Sequence, residues 1–223
     1  MNYLFLTGRE NKNLVEYKEE DRTYLLSKEA KEGFLKLKEQ LSNHGINLSL
    51  VSSYRSFEHQ LRIWNGKASG QRKLYDKDEN LLNYQDLSPI EIIHAILRWS
   101  ALPGASRHHW GTEIDVFDAN IKEVSAVNLT LKECDKDFND LYQHLDQYLK
   151  QCGFHRPYAL DLGGVSPEPW HLSFSKESQE LEENYSIDTI IKSLNETQDM
   201  QFKDIVLENI EEIFQKYIIN VSK

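Results

Sequence analysis

The stretch Ser106-Arg107-His108-His109-Trp110-Gly111-Thr112-Glu113-Ile114-Asp115, continuing into Val116-Phe117-Asp118, decides how this chain is read. Residues 113–118 (EIDVFD) alternate polar and apolar and read as a strand. Gly111 sits in the turn that leads into it, and His108 and Asp115 bracket that turn. Downstream, Glu168-Pro169-Trp170-His171 opens a further short strand over 170–174 (WHLSF), with His171 three residues after Glu168. Two imidazoles and one carboxylate can hold Zn²⁺ tetrahedrally and leave the fourth position to water. A nearby carboxylate that is not a ligand can take the water's proton. On spacing alone, this metal site stands beside the ordinary alternative that these histidines are structural or solvated.

Working outward, Ala30, Phe34, Leu37 and Leu41 recur at helical spacing over 28–43, with Ser27 as N-cap and Gly45 as the stop. Ile46, Leu48 and Leu50 alternate and predict a half-buried strand over 46–54. A helix over 56–65 presents Phe57, Leu61 and Trp64 on one face, with Gly66 after it. Residues 67–87 are polar and read as a surface insertion, a candidate lid. Ser88-Pro89-Ile90-Glu91 combines an N-cap, Pro at the first helical position and a capping-box Glu. One helix is expected over about 135–151, ending at Gly153. Residues 1–26 carry no clear pattern. In 177–223, Ile205, Ile210, Ile213, Phe214, Tyr217 and Ile218 form a stripe at period 3.6, a helical appendage that packs on the body or serves a partner.

The chain has 223 residues, room for one domain with an appendage, and 11% aromatics to fill a core. Lys and Arg number 26 against 36 Asp and Glu, a net charge of −10. That balance excludes a sequence-independent nucleic-acid binder, which needs a basic surface, and docking on anionic lipid. No stretch approaches the ~18–20 apolar residues of a membrane span. The N-terminus MNYLFLTGREN lacks a basic region and a long apolar run. The expected location is therefore cytoplasmic, or periplasmic or extracellular if a signal was removed or export is unconventional. The segment between Cys134 and Cys152 reads as one helix. At ~1.5 Å per residue that separates them beyond the ~7 Å of a disulfide, so two free thiols are expected, as suits a reducing compartment.

The pattern Ser-x-His-x-x-Gly-x-x-x-Asp (Ser106, His108, Gly111, Asp115), followed by Glu-x-x-His (Glu168, His171) with Trp170 before the last His, resembles the D-alanyl-D-alanine carboxypeptidase family of zinc peptidases. That family is the VanY type, with related vancomycin-resistance dipeptidases and phage endolysins. Ser53-Tyr54-Arg55-Ser56, with Gln60 after it, is similar to the family's Ser-Tyr-Arg-Ser box, and Pro103-Gly104-x-Ser106 also fits. The resemblance spans residues 28–175, in the family's order.

It implies His108, Asp115 and His171 as ligands of one Zn²⁺, and Glu168 as general base and then acid. It implies that Arg55 binds the substrate carboxylate or polarises the carbonyl, since a guanidinium forks onto carboxylate oxygens. Ser106 would bind the substrate or orient the site, Gln60 would bind substrate or support Arg55, and Trp170 would pack beneath the metal. The implied fold is α+β: a small, mostly antiparallel sheet carrying the ligands, flanked by helices, with a helical C-terminal appendage. Residues 1–176 would form the catalytic domain, and 177–223 an extension packed on or beside it.

The implied activity is zinc-dependent D-alanyl-D-alanine carboxypeptidase or dipeptidase action on peptidoglycan stem peptides or precursors. The partner is then a peptide with a free C-terminal carboxylate. Two alternatives stay open: an L-alanyl-D-glutamate-type cell-wall endopeptidase, and a non-catalytic binding protein on the same fold. A structural zinc module ranks last, because such sites are usually closed by four ligands, often Cys, and neither cysteine falls in the motifs.

Several neighbours are expected to be ordinary. His109 takes no metal role, because adjacent side chains diverge. Arg107 is read as a solvated charge, His155 as a surface or core histidine, and Asp118 as a strand-end carboxylate rather than an acceptor for a ligand imidazole. Glu113 is a departure, since many relatives carry Ala there. It adds an acid near the cation, or points away.

Overall fold

The computed structural model describes residues 2–222. A four-stranded antiparallel sheet in the order β3-β4-β6-β5 forms its frame, from β3 (Leu48–Ser52), β4 (Glu113–Asp118), β5 (Phe154–His155) and β6 (His171–Phe174). The architecture is α+β, as expected. β4 is central, and all six of its residues are buried. Its alternation therefore does not divide core from water. Ile114 and Val116 enter the apolar core, while Glu113 and Asp115 share the other face and meet polar side chains of β6. In register, Asp115 stands opposite His171 and Glu113 opposite Ser173.

Residues 1–26, unreadable in sequence, contain a one-turn helix α1 (Tyr3–Leu6) and a hairpin of β1 (Val15–Glu19) and β2 (Arg22–Leu26). Ser27 caps α2 (Lys28–Ser42), its hydroxyl accepting from the Ala30 N–H at 3.1 Å. The apolar face of α2 covers the sheet. Phe34, Leu37 and Leu41 are fully buried, each contributing ~1.5–3 kcal/mol on burial. α3 (Phe57–Ala68) starts at the Ser56 cap but runs through Gly66, so that glycine does not end it. The predicted capping box opens α4 (Pro89–Leu97).

The single helix expected over 135–151 is instead α5 (Leu131–Lys136), α6 (Asn139–Tyr148) and a 3₁₀ turn at Lys150–Cys152. Tertiary packing overrides the helical period here. Phe138, at the break, turns into the core edge-on to Phe117, with centroids 6.4 Å apart. Cys134 and Cys152 are both free and buried.

The C-terminal helices are α7 (Ser175–Glu183), α8 (Ile187–Asn195), α9 (Lys203–Glu208) and α10 (Ile210–Ile213), ending in a π-turn over Phe214–Ile218. Leu181, Ile190, Leu194, Val206, Ile210 and Ile213 share one core with Trp64 of α3 and Ile92, Ile93 and Ile96 of α4. Among the described residues, no helix is long and apolar enough to cross a membrane.

Gly111 ends the 3₁₀ turn Arg107–Trp110 in the left-handed region at φ +73°, where a Cβ would lie 2.5 Å from Leu14 Cδ2. We expect Gly111→Ala to destabilise the protein by more than about 1 kcal/mol, read as a lowered urea midpoint at unchanged m-value. An unchanged midpoint would show that the turn relaxes freely.

Candidate metal centre

The turn Arg107–Trp110 delivers His108 to the polar face of β4. The Nδ1–H of His108 donates to the Ser53 carbonyl at 2.8 Å. This fixes the tautomer, so Nε2 carries the lone pair, and it lies 3.4 Å from Asp115 Oδ2. Asp115 Oδ1 lies 3.0 Å from His171 Nδ1. The other ring nitrogen of His171 donates its N–H to Glu113 Oε2 at 2.9 Å. One donor atom from each of His108, Asp115 and His171 therefore converges, all within 4.8 Å of one another. Donor atoms about 2.0–2.1 Å from a tetrahedral Zn²⁺ lie about 3.4 Å apart, so the arrangement fits a small divalent cation.

The electrostatics agree. All three residues are buried. Burial pushes the Asp115 carboxyl up, but the charges and hydrogen bonds of His108 and His171 outweigh it and hold the group well below the usual carboxylate range. Burial lowers His108. It also acts to lower His171, yet the carboxylates of Asp115 and Glu113 prevail and raise that ring to about 10. Both nitrogens of His171 face carboxylates, so without a cation the ring holds two protons.

Glu168 Oε2 lies 3.7 Å from His171 Nδ1. Burial raises its carboxyl to about 7, against the pull of His171. Arg55 donates through one guanidinium NH₂ to Gln60 Oε1 at 2.9 Å and through the other to Ser52 Oγ at 3.4 Å. Gln60 is held in turn, donating to the Ala101 carbonyl at 2.7 Å and to Ser100 Oγ at 3.2 Å.

Arg55, Ser106, His108, Asp115, Glu168, Trp170 and His171 all line one cavity of about 560 Å³. The structure thus gathers six of the seven predicted site residues around one space, with Trp170 beside them. Gln60, fully buried, is not among the lining residues and stands behind Arg55. Its place is that of a support for Arg55.

Arg107 is not solvated. Only 4% of its side chain is exposed, and it pairs with Glu113 and Glu182. Glu113 is buried and points at His171 rather than away, because β4 is regular there and residues two apart share a face. His109 behaves as expected. Its Nδ1–H donates to the Arg55 carbonyl at 2.6 Å and its Nε2 accepts from the Gly104 N–H at 3.1 Å, leaving no nitrogen for a cation. Asp118 accepts from the Asn47 and Asn120 N–H groups at the strand end, and His155 meets Ser175 Oγ.

The insertion 67–87 is tied to neighbouring elements and forms part of the cavity wall. Glu79 accepts from the Leu131 N–H at 2.6 Å, and Trp99 Nε1–H donates to the Asp76 carbonyl at 3.0 Å. Lys67, Tyr75 and Glu79 line the cavity from that side. Burial lowers the Lys67 ammonium to about 8, against the charge of Glu168. Tyr158, its ring 5.1 Å from that of His171, lines it too. Neither Lys67 nor Tyr158 lies in a motif. The only trace of Lys67 in the sequence is its place at a helix end facing a polar insertion.

The chain belongs to the D-alanyl-D-alanine carboxypeptidase (VanY) family, whose pattern matches residues 23–177. A protein of uncharacterised function from Haemophilus influenzae (strain ATCC 51907 / DSM 11121 / KW20 / Rd) is 37% identical over 98 residues, covering 44% of this chain and 67% of that protein. Among solved structures, VanYB in complex with D-alanine-D-alanine superposes with a TM-score of 0.55 at 18% identity, covering 83% of this chain and 90% of that one. A mutant of the vancomycin resistance D,D-pentapeptidase VanY in complex with Zn(II) gives 0.53 at 20% identity, covering 77% and 86%. At these identities the structural likeness speaks for the fold.

A cation at Nδ1 of His171 must displace the proton of a ring that titrates near 10. Zinc uptake at pH 8 should therefore release at least about one proton per ion, and the apparent affinity should climb about tenfold per pH unit toward that value. Calorimetry in buffers of different ionisation enthalpy measures the release. Uptake with no proton released would show that His171 is already neutral.

Proposed function

We propose that this chain is a zinc-dependent D-alanyl-D-alanine carboxypeptidase or dipeptidase that hydrolyses peptidoglycan stem peptides or their precursors. The observation that carries the reading is the convergence of His108 Nε2, Asp115 and His171 Nδ1 beside Glu168, in a cavity that also holds Arg55. His108, Asp115 and His171 would hold one Zn²⁺ per chain. Zinc, when bound, supplies Lewis acidity toward the scissile carbonyl and toward water. Family membership and the D-alanine-D-alanine carried by a VanYB structure support the substrate class.

The chain's own residues do the rest. Glu168 takes the proton of the attacking water and returns it to the leaving amine nitrogen. Desolvation raises this carboxyl above the usual range, which makes it a stronger acceptor for that proton. Arg55, fixed by Gln60 and Ser52, presents its remaining N–H groups to the substrate's free C-terminal carboxylate or to the oxygen that gains charge. Trp170, Leu102 and Ala105 line the cavity with apolar surface and reduce the water that would screen these charges.

Glu168→Ala should keep its zinc by elemental analysis and lose D-alanine release by about 10²–10⁴-fold. Near-normal turnover would remove Glu168 from the base role. Arg55→Lys keeps the charge but loses the fork, and should lower kcat/KM for D-Ala-D-Ala-terminated peptides about tenfold or more. Unchanged kinetics would take Arg55 out of the site. Zinc-loaded protein that releases no D-alanine from any such peptide would overturn the substrate class.

A further inference from the structure

His171 can offer Nδ1 to a cation only while its proton sits on Nε2, and the structure shows what holds it there. Glu113 Oε2 accepts that N–H at 2.9 Å. The other oxygen, Oε1, accepts from Ser173 Oγ at 2.7 Å, Thr112 Oγ1 at 3.1 Å and Arg107 Nη2 at 3.3 Å. Arg107 is buried and stacks on Trp110, with its guanidinium carbon 5.0 Å from the ring centroid. Its second NH₂ group grips Glu182 of α7. Glu182 lies outside the family's matched residues 23–177.

A bland account is available, in which Arg107 simply neutralises a buried acid. It does not explain why the acid is there. A buried carboxylate is costly, and an apolar residue at 113 would remove both Glu113 and the need for Arg107. The carboxylate does have a use if the ring it touches binds metal. A histidine ligand that donates its far N–H to a carboxylate is locked in tautomer and orientation, and its coordinating nitrogen becomes more basic.

We propose that Glu113 is a positioning residue for His171, and that the chain Glu182–Arg107–Glu113–His171 couples the C-terminal helix α7 to metal affinity. The proposal rests on the metal-centre reading above. Glu113 then acts on the ligand without touching the substrate, and α7 contributes to the centre through three side chains although it supplies no ligand.

The test is zinc affinity, measured by competition with a chromogenic chelator on the full chain as wild type, Glu113→Gln and Glu182→Gln, with melting temperatures recorded on the same samples. Glu113→Gln should weaken zinc binding about 10–100-fold, and Glu182→Gln by a smaller factor of about threefold or more. Because the Glu182 side chain is 31% exposed, its Gln variant keeps the question answerable if Glu113→Gln does not fold. In zinc-loaded wild type, ¹⁵N-histidine spectra should show His171 as the Nε2–H tautomer, with a protected proton that exchanges faster in Glu182→Gln. A merely structural ion pair would lower the melting temperature and leave zinc affinity within about twofold, and that result overturns the coupling. Wild type that takes up no zinc overturns the metal-centre reading itself, and the coupling with it.

Discussion

Asp115 and His171 stand directly opposite each other on antiparallel β4 and β6, and the arrangement of the centre follows from that pairing. Opposed residues in such a pair hold their Cβ atoms ~4.5–5.5 Å apart, close enough for a carboxylate and an imidazole to share one cation or proton. The same register places Glu113 and Ser173 one step along the same face. A one-residue slip of either strand would turn that strand's two side chains to the opposite face and scatter the donors.

Burying so many polar groups in the middle of a sheet is costly unless each finds a partner. The loops around β4 are built to supply them. The Arg55 N–H donates to the His108 carbonyl at 3.0 Å, so the two loops that carry site residues are stitched through their backbones. His109 ties the same region from beneath, bridging the Arg55 carbonyl and the Gly104 N–H. Gly8 approaches that ring so closely that a Cβ would fall 2.3 Å from its Nδ1. A histidine adjacent to a candidate ligand is thus structural, and its value lies in holding its neighbour still. The centre rests on strands and tied loops, the setting in which donor atoms keep their spacing.

Where local sequence signals failed, packing had overruled them. Nothing in the string around Phe138 announces a break in the 135–151 helix. The break exists because that ring finds the core. Arg107 looked like a solvated charge because its partners Glu113 and Glu182 lie 6 and 75 residues away. The 67–87 insertion looked free because its anchors, Leu131 and Trp99, belong to other elements. By contrast, the Ser27 cap of α2 and the capping box at Ser88 were legible, because the residues that satisfy those helix ends sit within three positions of them.

The amino-acid string alone determined the chemistry on offer. It held two histidines and an aspartate in a recognisable order, a glutamate three residues before the last histidine, an arginine box upstream, and strands whose alternation sets which side chains share a face. Those features are local, and period-two geometry or a capping residue carries them without help from the rest of the chain. Only the tertiary structure decided which nitrogen of each histidine faces inward, that Glu113 turns toward His171, and that Arg107 is buried between two acids. These choices depend on contacts such as His108 with Ser53, 55 residues apart. A hydrogen-bond partner fixes a tautomer only once folding has brought it within about 3 Å.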